Sequence, residues 1–428
     1  MKQRLLHILF WSVISAAFIG PGTVTTAASA GAGFGYTLIW AIVFSIVACY
    51  VLQEASARIT AVSGNNLGEA MRLQYTGTKT GTILIWISLF AILSGCTAFE
   101  AGNILGAVAG ISIVTNQVPV PLIVGTIGLI SGMLLWKGNI RQIATLLGLI
   151  VAVMGICFVI TAFMIPHDLS SLFSEGFVPE ILVLGLIGTT VVPYNIFLGS
   201  GLKHSQTPSE MKLSLFIAIG LGGFISICIL LTGTAIAGEF TFEALAAALT
   251  EQIGGWGNWL LGIGLFGAGL SSTLTAALAA AITAKSLLAK SSTQIQWSTD
   301  GFYFRSIWIG VLSIGLLFGL LELQPVPVII LAQALNGIIL PVIAVILFLM
   351  MNQTTILPEQ HQNSTFYNIL SGFVVYLTVL IGLTNLLRAL AGGLGFSLPN
   401  QNIIYLTSAL IFALLIIPVI KKVYPETD

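Results

Sequence analysis

The chain has 428 residues, of which 57% are hydrophobic and only 7% charged, and its 15 basic and 15 acidic side chains leave no net charge. Soluble domains carry about a quarter charged residues, so this chain lacks the polar side chains to cover a water-facing surface and reads as a protein dissolved in lipid. The charge balance gives no sign of a nucleic-acid partner, and no cofactor motif is visible.

A helix that crosses a bilayer needs roughly 20 mostly apolar residues. In chain order such segments fall at about 7–31, 36–62, 81–109, 119–136, 142–165, 179–203, 209–237, 257–288, 304–321, 326–350, 366–390 and 402–421, which predicts twelve spans. The third and eighth are long enough to bend or to run past the membrane. From Met1 to Ile19 a short basic head leads into an apolar run that continues past Pro21 with no A-x-A cleavage site, so it is expected to stay as the first helix.

Orientation follows from the basic residues. With the N-terminus cytoplasmic, Lys2, Arg4, Arg58, Arg72, Lys79, Lys137, Arg141, Lys203, Lys212, Lys285, Lys290, Arg305, Lys421 and Lys422 all fall inside, and only Arg388 falls outside. Asp168, Glu175, Glu180, Glu239, Glu243, Glu251 and Glu322 crowd the outer loops. Both termini are therefore expected in the cytoplasm. The four cysteines (Cys49, Cys96, Cys157, Cys228) are widely spaced inside apolar runs and read as small core residues.

Two spans carry helix breakers in mid-membrane. The first holds Gly20-Pro21-Gly22-Thr23, and the sixth holds Val192-Pro193-Tyr194-Asn195 after Gly188-Thr189-Thr190. Proline removes a backbone donor and clashes with the preceding turn, and the flanking glycine or polar residue lets the helix unwind. A single such site reads as a kink. Two, five helices apart and each opening one half of the chain, match the discontinuous helices of inverted-repeat transporters. The sequence thus predicts an all-α polytopic membrane protein built as a 5+5 inverted repeat. Helices 1–5 occupy 1–165, helices 6–10 occupy 179–350, two additional helices occupy 366–421, and the site lies between helices 1 and 6. Pro21, Gly22 and Pro193 are the expected hinges.

At these residues the sequence resembles the Nramp family of proton-coupled divalent-metal transporters. Gly20-Pro21-Gly22-Thr23, with Gly35-Tyr36-Thr37-Leu38-Ile39-Trp40 after it, resembles the family's D-P-G-N and G-Y-S-L-L-W. Thr189 to Leu198 resembles A-T-V-M-P-H-N-L-Y-L, Gly269 to Thr273 resembles G-Q-S-S-T, and Ala332-Gln333 with Pro341 resembles the S-Q and later proline of helix ten. The resemblance implies a LeuT-type fold, an ion symporter of a bacterial inner membrane, and alternating access. It also implies where a metal would sit: on the Asp and Asn of D-P-G-N and on the Met sulfur and Ala carbonyl of helix six. Those positions are Gly20, Thr23, Val192 and Thr189 here, and the helix-six His is Tyr194. An anionic oxygen and a soft thioether select manganese or iron, so their replacement predicts altered specificity and no metal site with the usual ligands. The expected substrate-binding set is Ala17, Gly20, Thr23, Thr189, Val192, Tyr194, Asn195 and Gln333, with Ala17 and Thr189 offering carbonyls. Thr25, Thr26, Thr190 and Asn336 are further polar candidates, and helix packing is the competing reading for the threonines.

Intramembrane ionisable residues are functional candidates by default. Glu100 lies in the middle of the third span and aligns with the Asp of the family's T-D-L-A-E proton-pathway motif, whose Glu is Asn103. Glu54 stands four residues before Arg58, the spacing of a helical ion pair. His204 reads as a solvated helix end, and His7 and His167 as interfacial. The expected partners are the lipid bilayer, a small inorganic ion or small solute as substrate, and protons; the sequence leaves oligomeric state open. Magnesium, a monovalent cation and a small neutral or zwitterionic solute remain alternatives, as does a channel or a homologue without transport. A channel calls for charged rings or a filter repeat, and neither is visible. An enzyme calls for a converging nucleophile, base or metal cluster, whereas the four histidines are scattered.

Overall fold

Prolines set many of the helix starts, because their missing amide is one that a first turn leaves unpaired anyway. In the computed structural model, which describes residues 19–115, 117–138, 141–166, 181–201, 208–394 and 401–423, α1 (Pro21–Phe34), α8 (Pro193–Gly201), α9 (Pro208–Gly233) and α13 (Pro325–Met350) all begin on proline. The other helices are α2 (Ile39–Ser63), α3 (Leu67–Tyr75), α4 (Lys79–Val114), α5 (Val120–Lys137), α6 (Arg141–Met164), α7 (Ile181–Thr190), α10 (Phe242–Ile253), α11 (Trp256–Leu288), α12 (Phe302–Leu320), α14 (Thr365–Leu394) and α15 (Gln401–Val423). Polar caps start others: Thr78 accepts from the Gly81 amide ahead of α4, and Asn66 and Glu69 form a capping box on α3.

Ten segments among the described residues are long and apolar enough to cross a membrane. They match the predicted second to eleventh spans to within a few residues. Of the predicted first span, α1 is the described part and 1–18 lie outside the described residues. The predicted twelfth is α15, whose described apolar stretch is Asn402–Leu414. The third and eighth spans are indeed long, at 36 and 33 residues. At 1.5 Å per residue they reach roughly 50 Å, well beyond a hydrocarbon core of about 30 Å. Two short helices were not expected, α3 and α10. Both lie in loops, and neither has the length by which spans are recognised.

The sixth span, α7 with α8, is the central one: 83% of its apolar window is buried, against 22% for α5. Phe90, Leu129 and Phe163 stand exposed on the rim, where lipid would cover them. In lipid, helices associate through close packing of small residues. Gly110 of α4 lies against the Gly262 carbonyl of α11, and Gly269 of α11 against the Asn103 carbonyl of α4. These two long helices form the most extensive contact in the molecule.

Hydroxyl groups tie α8 to its neighbours. Ser56 of α2 donates to the Ile196 carbonyl at 2.9 Å, and Thr60 donates to the Ser200 carbonyl at 3.1 Å. The Leu67 amide at the start of α3 donates to Ser200 Oγ at 3.0 Å. Glu54 and Arg58 pair at 2.8 Å as the spacing predicts, but the pair is part of a larger buried cluster. Lys212 Nζ of α9 lies 3.4 Å from Glu54 Oε1, and Arg58 also donates to Asn363 Oδ1 at 2.8 Å. The ring of Tyr367 lies beneath both cations. All four cysteines are free and buried, as expected of core residues. His7, His167 and His204 lie outside the described residues.

Candidate functional site

Pro193 has no amide hydrogen, so the Thr189 carbonyl four residues earlier loses its helical donor. The helix stops there: α7 ends at Thr190, Val191 and Val192 are non-helical, and α8 restarts at Pro193. Pro21 likewise opens α1, with Gly20 extended (φ −98°, ψ 178°) ahead of it. The carbonyl that Pro21 would free belongs to Ala17, which lies outside the described residues. The two breaks meet. Thr23 Oγ1 and Thr189 Oγ1 share a 2.9 Å hydrogen bond across 166 residues of sequence. The amide ends of α1 and α8 and the carbonyl end of α7 face this junction, so partial charges of both signs are available without any ionised side chain.

Gln333 of α13 closes one side. It is 1% exposed, and neither its Nε2 nor its Oε1 has a hydrogen-bond partner. A methyl group placed on Gly22 would land on Gln333 Nε2, and one placed on Gly188 would land on the Gln333 carbonyl. Glycine at both positions lets the amide sit directly against the two breaks. Ser272 Oγ of α11 lies 3.3 Å from where a Gly20 side chain would begin, which brings the Gly269–Thr273 segment to the same junction.

The other expected binding residues line the α8 side. Val192, Tyr194 and Asn195 are all buried. The Asn195 amide donates to the Val192 carbonyl at 3.0 Å. The Tyr194 ring meets Phe99 of α4 edge to face, with centroids 5.3 Å apart. Thr25, Thr26 and Thr190 donate their hydroxyls to the carbonyls of Pro21, Gly22 and Leu186 in their own helices at 2.8–2.9 Å. Asn336 Nδ2 is taken up by the Ala332 carbonyl at 3.1 Å.

Glu100 is fully buried, and neither of its carboxyl oxygens has a hydrogen-bond partner. Its stem packs on Gly315 of α12, where a methyl group would collide with Cγ. Asn103 is 1% exposed and its Nδ2 has no partner. Glu100 follows Phe99, whose ring meets that of Tyr194. Among the described residues no three His, Cys, Asp or Glu side chains converge to hold a metal ion. Sequence reasoning missed Phe99, Ser272 and Gly315 as neighbours of the site. Phe99 and Ser272 stood inside quoted motifs, but nothing in the sequence marks Gly315.

The family model for natural resistance-associated macrophage protein-like (Nramp) sequences matches residues 12–388. The Nramp protein 2 homolog of Dictyostelium discoideum is 28% identical over 312 residues, covering 66% of this chain and 48% of that protein. The divalent metal cation transporter MntH of Deinococcus radiodurans is 27% identical over 308 residues, covering 65% of this chain and 68% of that one. The matched segment therefore spans about half to two-thirds of these relatives' length. Among solved structures, the manganese transporter of Eremococcus coleocola superposes with a TM-score of 0.70 at 18% identity, covering 98% of this chain and 94% of that one. Mhp1, a nucleobase-cation-symport-1 family transporter, superposes at 0.59 and 18% identity over the same shares. These likenesses show the fold, the LeuT type with discontinuous helices one and six. With the family model matched over most of its length, the chain is an integral membrane protein that belongs to the Nramp family of transporters.

Proposed function

We propose that this chain is a secondary active transporter working by alternating access, and that its cargo is a small cation or small solute held by neutral oxygen and amide groups. Membership of the family points to divalent metal. The observation that turns the reading is the junction itself: two threonine hydroxyls bonded to each other at 2.9 Å beside a buried, unpartnered Gln333 amide. A dehydrated divalent ion in a low-dielectric site needs compensating negative charge, and Gly20, Thr23, Thr189 and Val192 supply none. An ion that keeps its water, or a solute carrying both a donor and an acceptor, can use hydroxyls, the freed Thr189 carbonyl and Gln333. The repeats at 1–165 and 179–350, the helices at 366–421 and cytoplasmic termini complete the proposal; the paired breaks support the first two and the charge bias supports the orientation.

Uptake into proteoliposomes from a panel of manganese, magnesium, sodium and small amino acids tests the reading. Wild-type protein is expected to ignore manganese and accumulate another member. Gly20→Asp/Thr23→Asn is expected to gain manganese binding, with the new carboxylate pointing at Ser272. Efficient manganese uptake by the wild type sinks the argument from missing ligands.

We further infer that transport is linked to protons through Glu100, because a buried carboxyl without a partner exchanges a proton at little structural cost. Glu100→Gln is expected to uncouple uptake from an imposed pH gradient while leaving the protein folded. A variant with the full wild-type response to the gradient removes Glu100 from the pathway.

A further inference from the structure

At the end of the molecule where the basic residues gather, α5, α11, α3 and the loop before α12 enclose a cavity of about 540 Å³. Lys137, Lys285, Asn66, Ser286, Thr299 and Trp136 are among the residues that line it. Each lysine sits in the last turn of its helix, α5 or α11, where a cation suits the helix dipole. That accounts for one lysine per helix. It does not account for two lysines lining one cavity with neither in an ion pair among the described residues. The two acids of the lining are occupied. Asp300 is held by Arg305 at 2.6 Å, and Glu69 accepts from the Asn66 amide at 3.1 Å in the α3 capping box. Arg305 in turn lies 3.9 Å above the Trp136 ring. With Arg305 counted beside Asp300, three cations stand against the two carboxylates of Glu69 and Asp300, an excess of one positive charge.

Its rim identifies the source of the anion. Of its lining Trp136 is 55% exposed, and in the neighbouring segment Ile295 and Phe302, which do not line the cavity, are 84% and 74% exposed. Large apolar and aromatic groups at the end of a span mark the depth of lipid headgroups. A cavity that opens among them faces the bilayer interface, and basic pockets between spans on the cytoplasmic side suit anionic headgroups. The position also carries a consequence. Gly68 of α3 packs on Ser286 beside the cavity, and α3 is hydrogen-bonded to the end of α8 through Ser200. We propose that this cavity binds the headgroup of an anionic phospholipid of the inner leaflet, with Lys137 and Lys285 on the phosphate, and that the bound lipid braces α3 and, through it, the inner half of the broken sixth span.

The test uses full-length protein stripped of lipid and re-equilibrated with mixed phosphatidylcholine and phosphatidylglycerol. Lipid retained on the protein is counted by native mass spectrometry. Wild type is expected to hold phosphatidylglycerol about thirtyfold over phosphatidylcholine, the scale that two lysines beside an anionic leaflet provide. Lys137→Gln/Lys285→Gln is expected to hold the two lipids equally while melting at the wild-type temperature in phosphatidylcholine alone. Equal retention of both lipids by the wild type overturns the proposal whatever the variant does, and so does undiminished selectivity in the variant. Stabilisation by inorganic phosphate without lipid, at the level phosphatidylglycerol gives, assigns the cavity to a soluble anion and overturns it too.

Discussion

Gly22→Leu is expected to cut uptake by ten- to a hundredfold in proteoliposomes while leaving the protein in the membrane. A side chain at Gly22 lands on Gln333, whose own backbone is pressed against Gly188, so the amide has nowhere to retreat. Overpacking of this kind costs about 1–3 kcal/mol. Placed on the closed form alone, that converts to roughly one to two powers of ten in rate. Pro193→Ala is its counterpart. It returns a donor to the Thr189 carbonyl and lets α7 and α8 join into one helix, which removes a freed carbonyl and a hinge together. Full uptake by the Gly22→Leu/Pro193→Ala double variant would show that the paired breaks are not the moving parts.

The second large effect concerns stability. Glu54→Gln is expected to destabilise the protein by about 3 kcal/mol, because removing the acid of the buried Glu54–Arg58 pair strands Arg58, while the partly exposed Lys212 keeps its water. Glu54 is fully buried, and it faces Arg58 at 2.8 Å and Lys212 at 3.4 Å. The expected observation is a clear fall in the melting temperature of purified protein. Arg58→Lys is expected to lose less, since a charge stays next to Glu54 while the contact with Asn363 goes. A Glu54→Gln protein that melts with the wild type would mean that the cluster contributes little.

How much of this was readable in the chain depends on the distance over which each feature is written. Spans are local: twenty apolar residues in a row leave few alternatives in lipid, and the described helices follow the predicted limits closely. The breaks are local too, since Pro21 and Pro193 act on carbonyls four residues away. The short helices α3 and α10 escaped because an amphipathic stretch of about a dozen residues or fewer looks like an ordinary polar loop. The site was legible as a set of positions only through a resemblance, and its geometry was not. That Thr23 bonds to Thr189 is a fact about positions 166 apart in the sequence. Glu54–Arg58 was visible as a pair, but Lys212, more than a hundred residues on, was not visible as its third member. Three of the threonines beside the breaks proved to bond to their own helices, a choice between neighbours that composition does not decide.

The hydroxyl ties on α8 restrict its freedom. Its Ile196 and Ser200 carbonyls accept from Ser56 and Thr60, and its Ser200 hydroxyl receives the Leu67 amide. Three such bonds at about 1 kcal/mol each make independent tilting of α8 a costly motion. In any motion of the sixth span α8 is therefore expected to travel as one lever with α2 and α3, with its fulcrum at Val191–Val192. A force applied anywhere on that lever, at the junction or at its far end, is felt at both.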